Sequence, residues 1–97
     1  MDIQHESDGP YGRFFIKHDV AESEITYRLK DHILSLDHTG VDESMEGKGV
    51  GKALVMRAVD WAREEGYKVK PYCTFAAAVM KRNASYADVL VSVDEEE

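Results

Sequence analysis

The sequence predicts a mixed α/β (α+β) protein in which an antiparallel β-meander is followed by a βαβα unit. Three observations support this fold class. Apolar and polar residues alternate over 23–30, which is typical of a half-buried strand. Apolar residues recur at spacings of three and four over 49–65, which is typical of an amphipathic helix. Three glycines two residues apart, at Gly47, Gly49 and Gly51, form a turn at the start of this helix.

The predicted elements follow one another through short connections. Residues 1–10 are polar and end in Gly9-Pro10, so we expect a flexible lead-in there. The helix over 49–65 has Gly66 at the position of a C-terminal cap, and Thr74 is the predicted N-cap of a second helix. The expected strands cover 11–18, 23–30, 33–38 and 67–72, the second helix 75–83, and a short extended piece 87–93. A single domain over 11–93 and an acidic tail over 94–97 result.

Composition limits the possible functions. The chain has 97 residues, enough for one small domain, and its net charge of −7 argues against general nucleic-acid binding. No apolar run approaches the roughly 20 residues that span a bilayer, and no signal-peptide pattern is visible, so a cytoplasmic protein is expected. We also expect a monomer, since no apolar surface stripe is left unassigned. A lone cysteine and scattered histidines predict neither an internal disulfide nor a metal site.

The glycine turn is the strongest functional signal. It lies between the third predicted strand and the first helix, the end of an open α/β sheet at which ligands bind. A helix start leaves backbone N–H groups unpaired and carries partial positive charge, while glycine allows close approach of a ligand. With Lys48 and Lys52 adding charge, the turn predicts binding of a phosphate or pyrophosphate.

Two common phosphate loops do not fit this turn. A P-loop with Gly51-Lys52 as its Gly-Lys pair would need glycine at Glu46 and a hydroxyl at Ala53. A dinucleotide loop starting at Gly47 would need glycine where Lys52 stands. A nucleotidase and a dinucleotide-binding protein are therefore both rejected.

A third loop fits better. The segment from Glu46 to Gly51 matches the acyl-CoA turn Gln/Arg-x-x-Gly-x-Gly/Ala except at its first position, where Glu46 stands. Together with Asp37-His38-Thr39-Gly40-Val41, Tyr72-Cys73-Thr74-Phe75-Ala76 and Tyr86-Ala87-Asp88-Val89, it resembles the small YjdJ-type branch of the GNAT superfamily of N-acetyltransferases. The resemblance covers roughly residues 22 to 90.

The resemblance implies a truncated acetyltransferase fold around an acetyl-CoA crevice. The pantetheine arm of acetyl-CoA would lie along the backbone of Thr39, Gly40 and Val41. Its acetyl group would enter between the third and fourth predicted strands. The pyrophosphate would bind the amides of the turn and helix start, namely those of Gly47, Lys48, Gly49, Val50, Gly51 and Lys52.

Two residues are candidates for the chemistry. Cys73 stands between a strand and a helix start, where its thiolate is favoured and could accept an acetyl group; the alternative is a buried thiol that only fills space. His38 is expected on the strand face of Leu34 and Leu36, as general base for Cys73 or for an amine. Its alternative is a half-buried histidine bonded to a backbone carbonyl.

The leading hypothesis is an acetyl-CoA-dependent N-acyltransferase that acts on an unknown amine acceptor. Transfer would run directly, with His38 as base, or through an acetyl-cysteine at Cys73. A second hypothesis is a non-catalytic CoA-binding module, and a third is an interaction domain that keeps the turn only for its fold. The acidic chain favours a cationic acceptor such as a polyamine or a lysine-rich segment.

Overall fold

Five strands form one mixed sheet in the computed structural model, which describes residues 2–93. The strands are β1 (Gln4–Asp8), β2 (Tyr11–His18), β3 (Ala21–Lys30), β4 (Ile33–Gly40) and β5 (Lys68–Pro71). They lie in the order β1-β2-β3-β4-β5; the first four are antiparallel neighbours, and β5 pairs parallel to β4. The predicted meander followed by a βαβα unit is thus confirmed, while the predicted tail over 94–97 lies outside the described residues.

The expectation of a flexible lead-in is wrong for Gln4–Asp8, which pairs with β2 along its whole length. The cause is a tertiary contact rather than local composition. The ring of His5 stacks on Phe14 with centroids 4.1 Å apart, and His5 Nε2 lies 2.6 Å from the Tyr27 hydroxyl oxygen. These contacts hold a polar, exposed strand at the edge of the sheet.

Two α-helices cover one face of the sheet. They are α1 (Val50–Glu65) and α2 (Thr74–Arg82), and a short 3₁₀ helix precedes α1 at Glu43–Met45. Buried side chains of both helices, including Leu54 and Met80, join Ile25 and Leu36 of the sheet in one core cluster. Since both helices contribute to this cluster, we call the sheet face that they cover the inner face, and the opposite one the outer face.

The helix ends agree with the sequence in one case and differ in another. Gly66 caps α1 as predicted, with φ of 82° and its N–H directed at the carbonyls of Ala62 and Arg63. Thr74 is the first residue of α2 rather than its cap, and Cys73 occupies the cap position with extended backbone. The extended piece expected at 87–93 is reduced to one parallel bridge between Val69 and Leu90, after a 3₁₀ helix at Ala84–Tyr86.

A β-bulge in β4 changes which residues face the core. Tyr27 of β3 pairs with Leu36, but the next residue back, Thr26, pairs with His38, so Asp37 is an extra residue. Beyond the bulge, Thr39 pairs with the fully buried Ile25 and shares its inner face. His38 is exposed on the outer face with Thr26. The expectation that His38 shares the face of Leu34 and Leu36 is therefore wrong.

Candidate functional site

The three glycines of the turn are needed for two different reasons. Gly47 and Gly49 have positive φ, 81° and 74°, a conformation that favours glycine. Gly51 lies inside α1, where an added Cβ would come within 3.0 Å of the Phe75 ring and 3.2 Å of a Val41 methyl. The turn thus reverses the chain into α1 and brings the start of α1 against the start of α2.

The start of α1 is prepared for an anion. Gly49 is its N-cap and supplies no side-chain hydrogen bond, and its first turn contains no acidic residue. The first helical hydrogen bond runs from the Ala53 N–H to the Gly49 carbonyl at 3.0 Å, so the preceding amides lack an intrahelical acceptor. These free donors and the positive end of the helix dipole favour a negatively charged group.

A groove of about 320 Å³ lies at this helix start. Its lining brings together six of the predicted binding residues: Val41, Gly47, Gly49, Val50, Gly51 and Lys52. Met45 and Phe75 also line it, and neither was predicted from the sequence, because their positions depend on how the loop and α2 fold back on the turn. Glu46 lines it too, while Lys48, Thr39 and Gly40 do not.

The loop before the turn is held by a buried serine. Ser23 of β3 is fully buried, and its Oγ accepts the Asp42 N–H at 2.8 Å. The same hydroxyl donates to Met45 Sδ at 3.2 Å. Because β3 is a central strand, this pair of bonds fixes the Val41–Met45 wall of the groove to the sheet.

Strands β4 and β5 separate just beside this groove. Their pairing covers Ile33–Leu36 and Lys68–Pro71 and ends with a hydrogen bond of 3.0 Å from the Cys73 N–H to the Leu36 carbonyl. From Asp37 to Gly40, β4 continues with β3 alone as its strand partner among residues 2–93. The edge of this segment that faces away from β3 therefore forms one wall of the predicted crevice.

Cys73 and Thr39 meet beyond the end of the β4–β5 pairing. Cys73 Sγ lies 3.3 Å from Thr39 Oγ1, and the thiol donates to the hydroxyl. Burial alone would raise the pKa of Cys73, but hydrogen bonding by Thr39 and by the amides of Ala76 and Phe75 outweighs it, so the pKa lies below its ordinary value. These amides act on the thiolate, because the neutral thiol makes no cap hydrogen bond to α2.

His38 does not join this pair. An added Cβ at Gly40 would come within 3.1 Å of His38 Nε2, so the imidazole lies over Gly40 on the outer face. The sheet therefore separates His38 from the Thr39 and Cys73 side chains. The sequence missed Thr39 as the partner of Cys73, because only the bulge brings it to the inner face.

A larger groove, of about 450 Å³, lies on the outer face. Glu6, Asp8, Asp37 and the exposed Tyr11 are among its lining residues. Arg13 also lines it but is already paired with three glutamates, so the carboxylates dominate and this groove does not suit the phosphate that the turn predicts. Among residues 2–93, no group of three or more His, Cys, Asp and Glu side chains is placed to hold a metal ion, and no helix there is long and apolar enough to cross a membrane.

The comparisons with known proteins place this fold, in which a parallel strand pair separates beside a glycine turn, in the acetyltransferase class. The family model of the GCN5-related N-acetyl-transferases matches residues 13–89, and the chain belongs to this family, which generally uses acetyl-CoA for acyl transfer. The chain is also similar to a GCN5-like protein of Staphylococcus aureus, solved by NMR. The identity is 30%, the match covers 97% of this chain and 93% of the other, and the TM-score is 0.69. A search of curated proteins gave no significant match.

Proposed function

We propose that the protein is an acetyl-CoA-dependent N-acyltransferase of the small YjdJ-type branch. The observation that carries this proposal is the groove at the start of α1, where two positive-φ glycines, free amides and Lys52 surround one space. The pyrophosphate of acetyl-CoA would bind there, at the amides from Gly47 to Lys52. The exposure of Phe75 on the groove wall, 43%, provides an apolar surface for the uncharged part of the ligand.

The free side of β4 supports the path of the pantetheine arm. The amide groups of the pantetheine arm would pair with the backbone of Thr39, Gly40 and Val41 as an added strand would. This path leads from the glycine turn along β4 to the point where β4 and β5 separate. The thioester would then arrive beside Cys73, whose backbone N–H closes the β4–β5 pairing.

Cys73 is the proposed acceptor of the acetyl group. Its thiolate would attack the thioester carbonyl carbon, the bond from that carbon to the CoA sulfur would break, and CoA would leave as a thiolate. An incoming neutral amine would then attack the acetyl-cysteine, release the Cys73 thiolate and lose its extra proton to solvent. The lowered pKa of Cys73 supports the first step, because the reactive form is the thiolate.

Direct transfer with His38 as base has less support. His38 lies on the outer face, whereas the groove and Cys73 lie on the inner side of the sheet. The same observation favours a second candidate function, a non-catalytic CoA-binding module, because no imidazole faces the crevice to take a proton from an amine.

We propose a cationic acceptor for the enzyme, since the net charge of −7 attracts cations.

Intact-mass spectrometry after incubation with acetyl-CoA tests the proposal, with calorimetric titration of CoA alongside. The wild type is expected to gain one acetyl group and Cys73→Ala none, while both bind CoA. Binding without a mass gain, and without acetylation of an added polyamine, would favour the non-catalytic module. Absence of CoA binding by folded protein would overturn both functions.

A further inference from the structure

A second, smaller groove lies next to the one at the glycine turn. It measures about 190 Å³ and is lined by Lys52, Val79, Arg82 and Asn83. Lys52 lines both grooves, so the two adjoin at its side chain. The second groove therefore lies between the first turn of α1 and the last turn of α2.

The two cations of this groove have no carboxylate partner among residues 2–93. Three arginines do, since Arg13 binds three glutamates, Arg28 binds Asp37 and Arg63 binds Asp88, whereas Lys48, Arg57 and Lys81 also take part in no ion pair among residues 2–93. None of the ion pairs involves Lys52 or Arg82, although the chain carries seven more acidic than basic residues. Lys52 and Arg82 differ from the other unpaired cations in that they line one groove together, and two uncompensated cations in one groove favour a bound anion.

Helix electrostatics explain only one of these cations. Arg82 ends α2, where a positive charge stabilises the helix dipole without any ligand. Lys52 stands in the first turn of α1, where a positive charge is unfavourable, and no acidic residue there offsets it. An anion close to Lys52 would remove this conflict.

Asn83 adds a neutral donor. Its Oδ1 accepts both the N–H and the hydroxyl of Ser85, at 3.1 and 2.7 Å. These bonds fix the orientation of the amide and leave its Nδ2 group as a donor at the groove. An ammonium, a guanidinium and an amide N–H form a donor set suited to the oxygens of a phosphate monoester.

We propose that Lys52, Arg82 and Asn83 bind the 3′-phosphate of CoA, while the glycine turn binds the pyrophosphate. This inference rests on the proposed function and extends it, because it assigns a separate subsite to the one phosphate that distinguishes CoA from dephospho-CoA. The adjoining grooves allow Lys52 to contact both anionic groups of one ligand. The subsite selects CoA over other nucleotides that carry only a pyrophosphate.

Calorimetric titration with CoA and with dephospho-CoA tests this subsite. The wild type is expected to bind CoA at least about tenfold more tightly, the order expected from hydrogen bonds to a charged group. In Arg82→Gln this ratio is expected to fall towards one, because only CoA loses a contact. Arg82→Lys keeps the charge and is expected to retain most of the preference.

Lys81→Gln is the matched control. Lys81 precedes Arg82 in α2 but does not line this groove, so its substitution is expected to leave the ratio unchanged. Equal affinities of the wild type for the two ligands would overturn the subsite and leave the proposed function intact. An equal loss of preference in Arg82→Gln and Lys81→Gln would also overturn it. Failure of folded wild type to bind either ligand would overturn the proposed function and the subsite together.

Discussion

Cys73 Sγ and Thr39 Oγ1 lie 3.3 Å apart, across the point where β4 and β5 separate. The two residues are 34 positions apart in the chain, and the parallel pairing of β4 with β5, which is followed by a bond from the Cys73 N–H to the Leu36 carbonyl, brings them together. In the thiol form, Cys73 donates to the hydroxyl; in the thiolate form, the hydroxyl donates to sulfur. The contact therefore favours the charged form of Cys73.

Replacing Thr39 by valine is expected to raise the pKa of the Cys73 thiol. Valine keeps the shape but removes the hydrogen bond that stabilises the thiolate, while the opposing effect of burial remains. Alkylation by iodoacetamide at neutral pH should slow by about tenfold, the order expected from a hydrogen bond to a charged group. The pH profile of alkylation measures this without CoA, and Thr39→Ser should restore it. An unchanged profile in Thr39→Val would show that the hydroxyl does not control the thiol.

Gly51→Ala is expected to weaken CoA binding more than it weakens folding. The new Cβ would meet the Phe75 ring at 3.0 Å, and this ring is exposed enough to turn away. Alanine gains about 1 kcal/mol of helix propensity, which offsets much of the strain. The displaced ring would enter the groove, so we expect several-fold weaker binding by calorimetry and a small change in Tm. Full affinity for CoA in Gly51→Ala would contradict the assignment of this groove.

Gly12→Ala should destabilise the fold by about 2 kcal/mol or more, as expected for overpacking against backbone. A Cβ at this position would overlap the Tyr27 hydroxyl and come within 2.8 Å of the Glu6 carbonyl oxygen. The Tyr27 side chain is buried and the Glu6 carbonyl belongs to a paired strand, so neither can move cheaply. Urea unfolding measures the loss. Tyr11→Ala, at the exposed neighbouring position, is the control and should change stability far less.

The attachment of β1 is expected to weaken in acid. Burial, and to a lesser extent the charge of Arg57, lowers the pKa of His5 below its usual 6.5. A group whose pKa is lower in the folded state stabilises the fold fully above its unfolded pKa and loses that contribution as pH falls. Protonation would also disturb the contacts of His5 with Phe14, Trp61 and the Tyr27 hydroxyl.

Urea midpoints at pH 7.5 and pH 5 measure this contribution of His5. The wild type should lose more stability between the two pH values than His5→Gln does. Groups common to both proteins cancel in this difference. Equal losses would show that His5 titrates alike in the folded and unfolded states.

The parts of the fold that were predicted correctly depend on local patterns. Alternation over 23–30 identified β3, the spacing of three and four identified α1, and Gly66 marked its end. The glycine turn was predictable because its positive-φ residues stand at a helix start. Strand β1 was not predictable, since its polar residues form a strand only through pairing with β2 and the stacking of His5 on Phe14.

The site was predictable in part for the same reason. Six of the predicted binding residues line one groove. Five of them are close together in the glycine turn and the start of α1, and the sixth, Val41, directly follows β4. The partner of Cys73 was not predictable, because a bulge of one residue has no local pattern and yet exchanges the faces of all residues that follow. Regular alternation would have turned His38 inward and Thr39 outward.

The extra residue in β4, Asp37, has two effects: it turns Thr39 inward, and as a bulge it bends the strand. A deletion would remove only the bend. Without Asp37, Leu36 would be followed directly by His38 and then Thr39, and a regular strand of this shorter sequence would still turn His38 outward and Thr39 inward. The bend that a bulge imposes would be lost, however, and β4 could stay beside β5 past Leu36. A chain shortened at this one position should thus keep the thiol and hydroxyl neighbours but close the space through which a thioester reaches them.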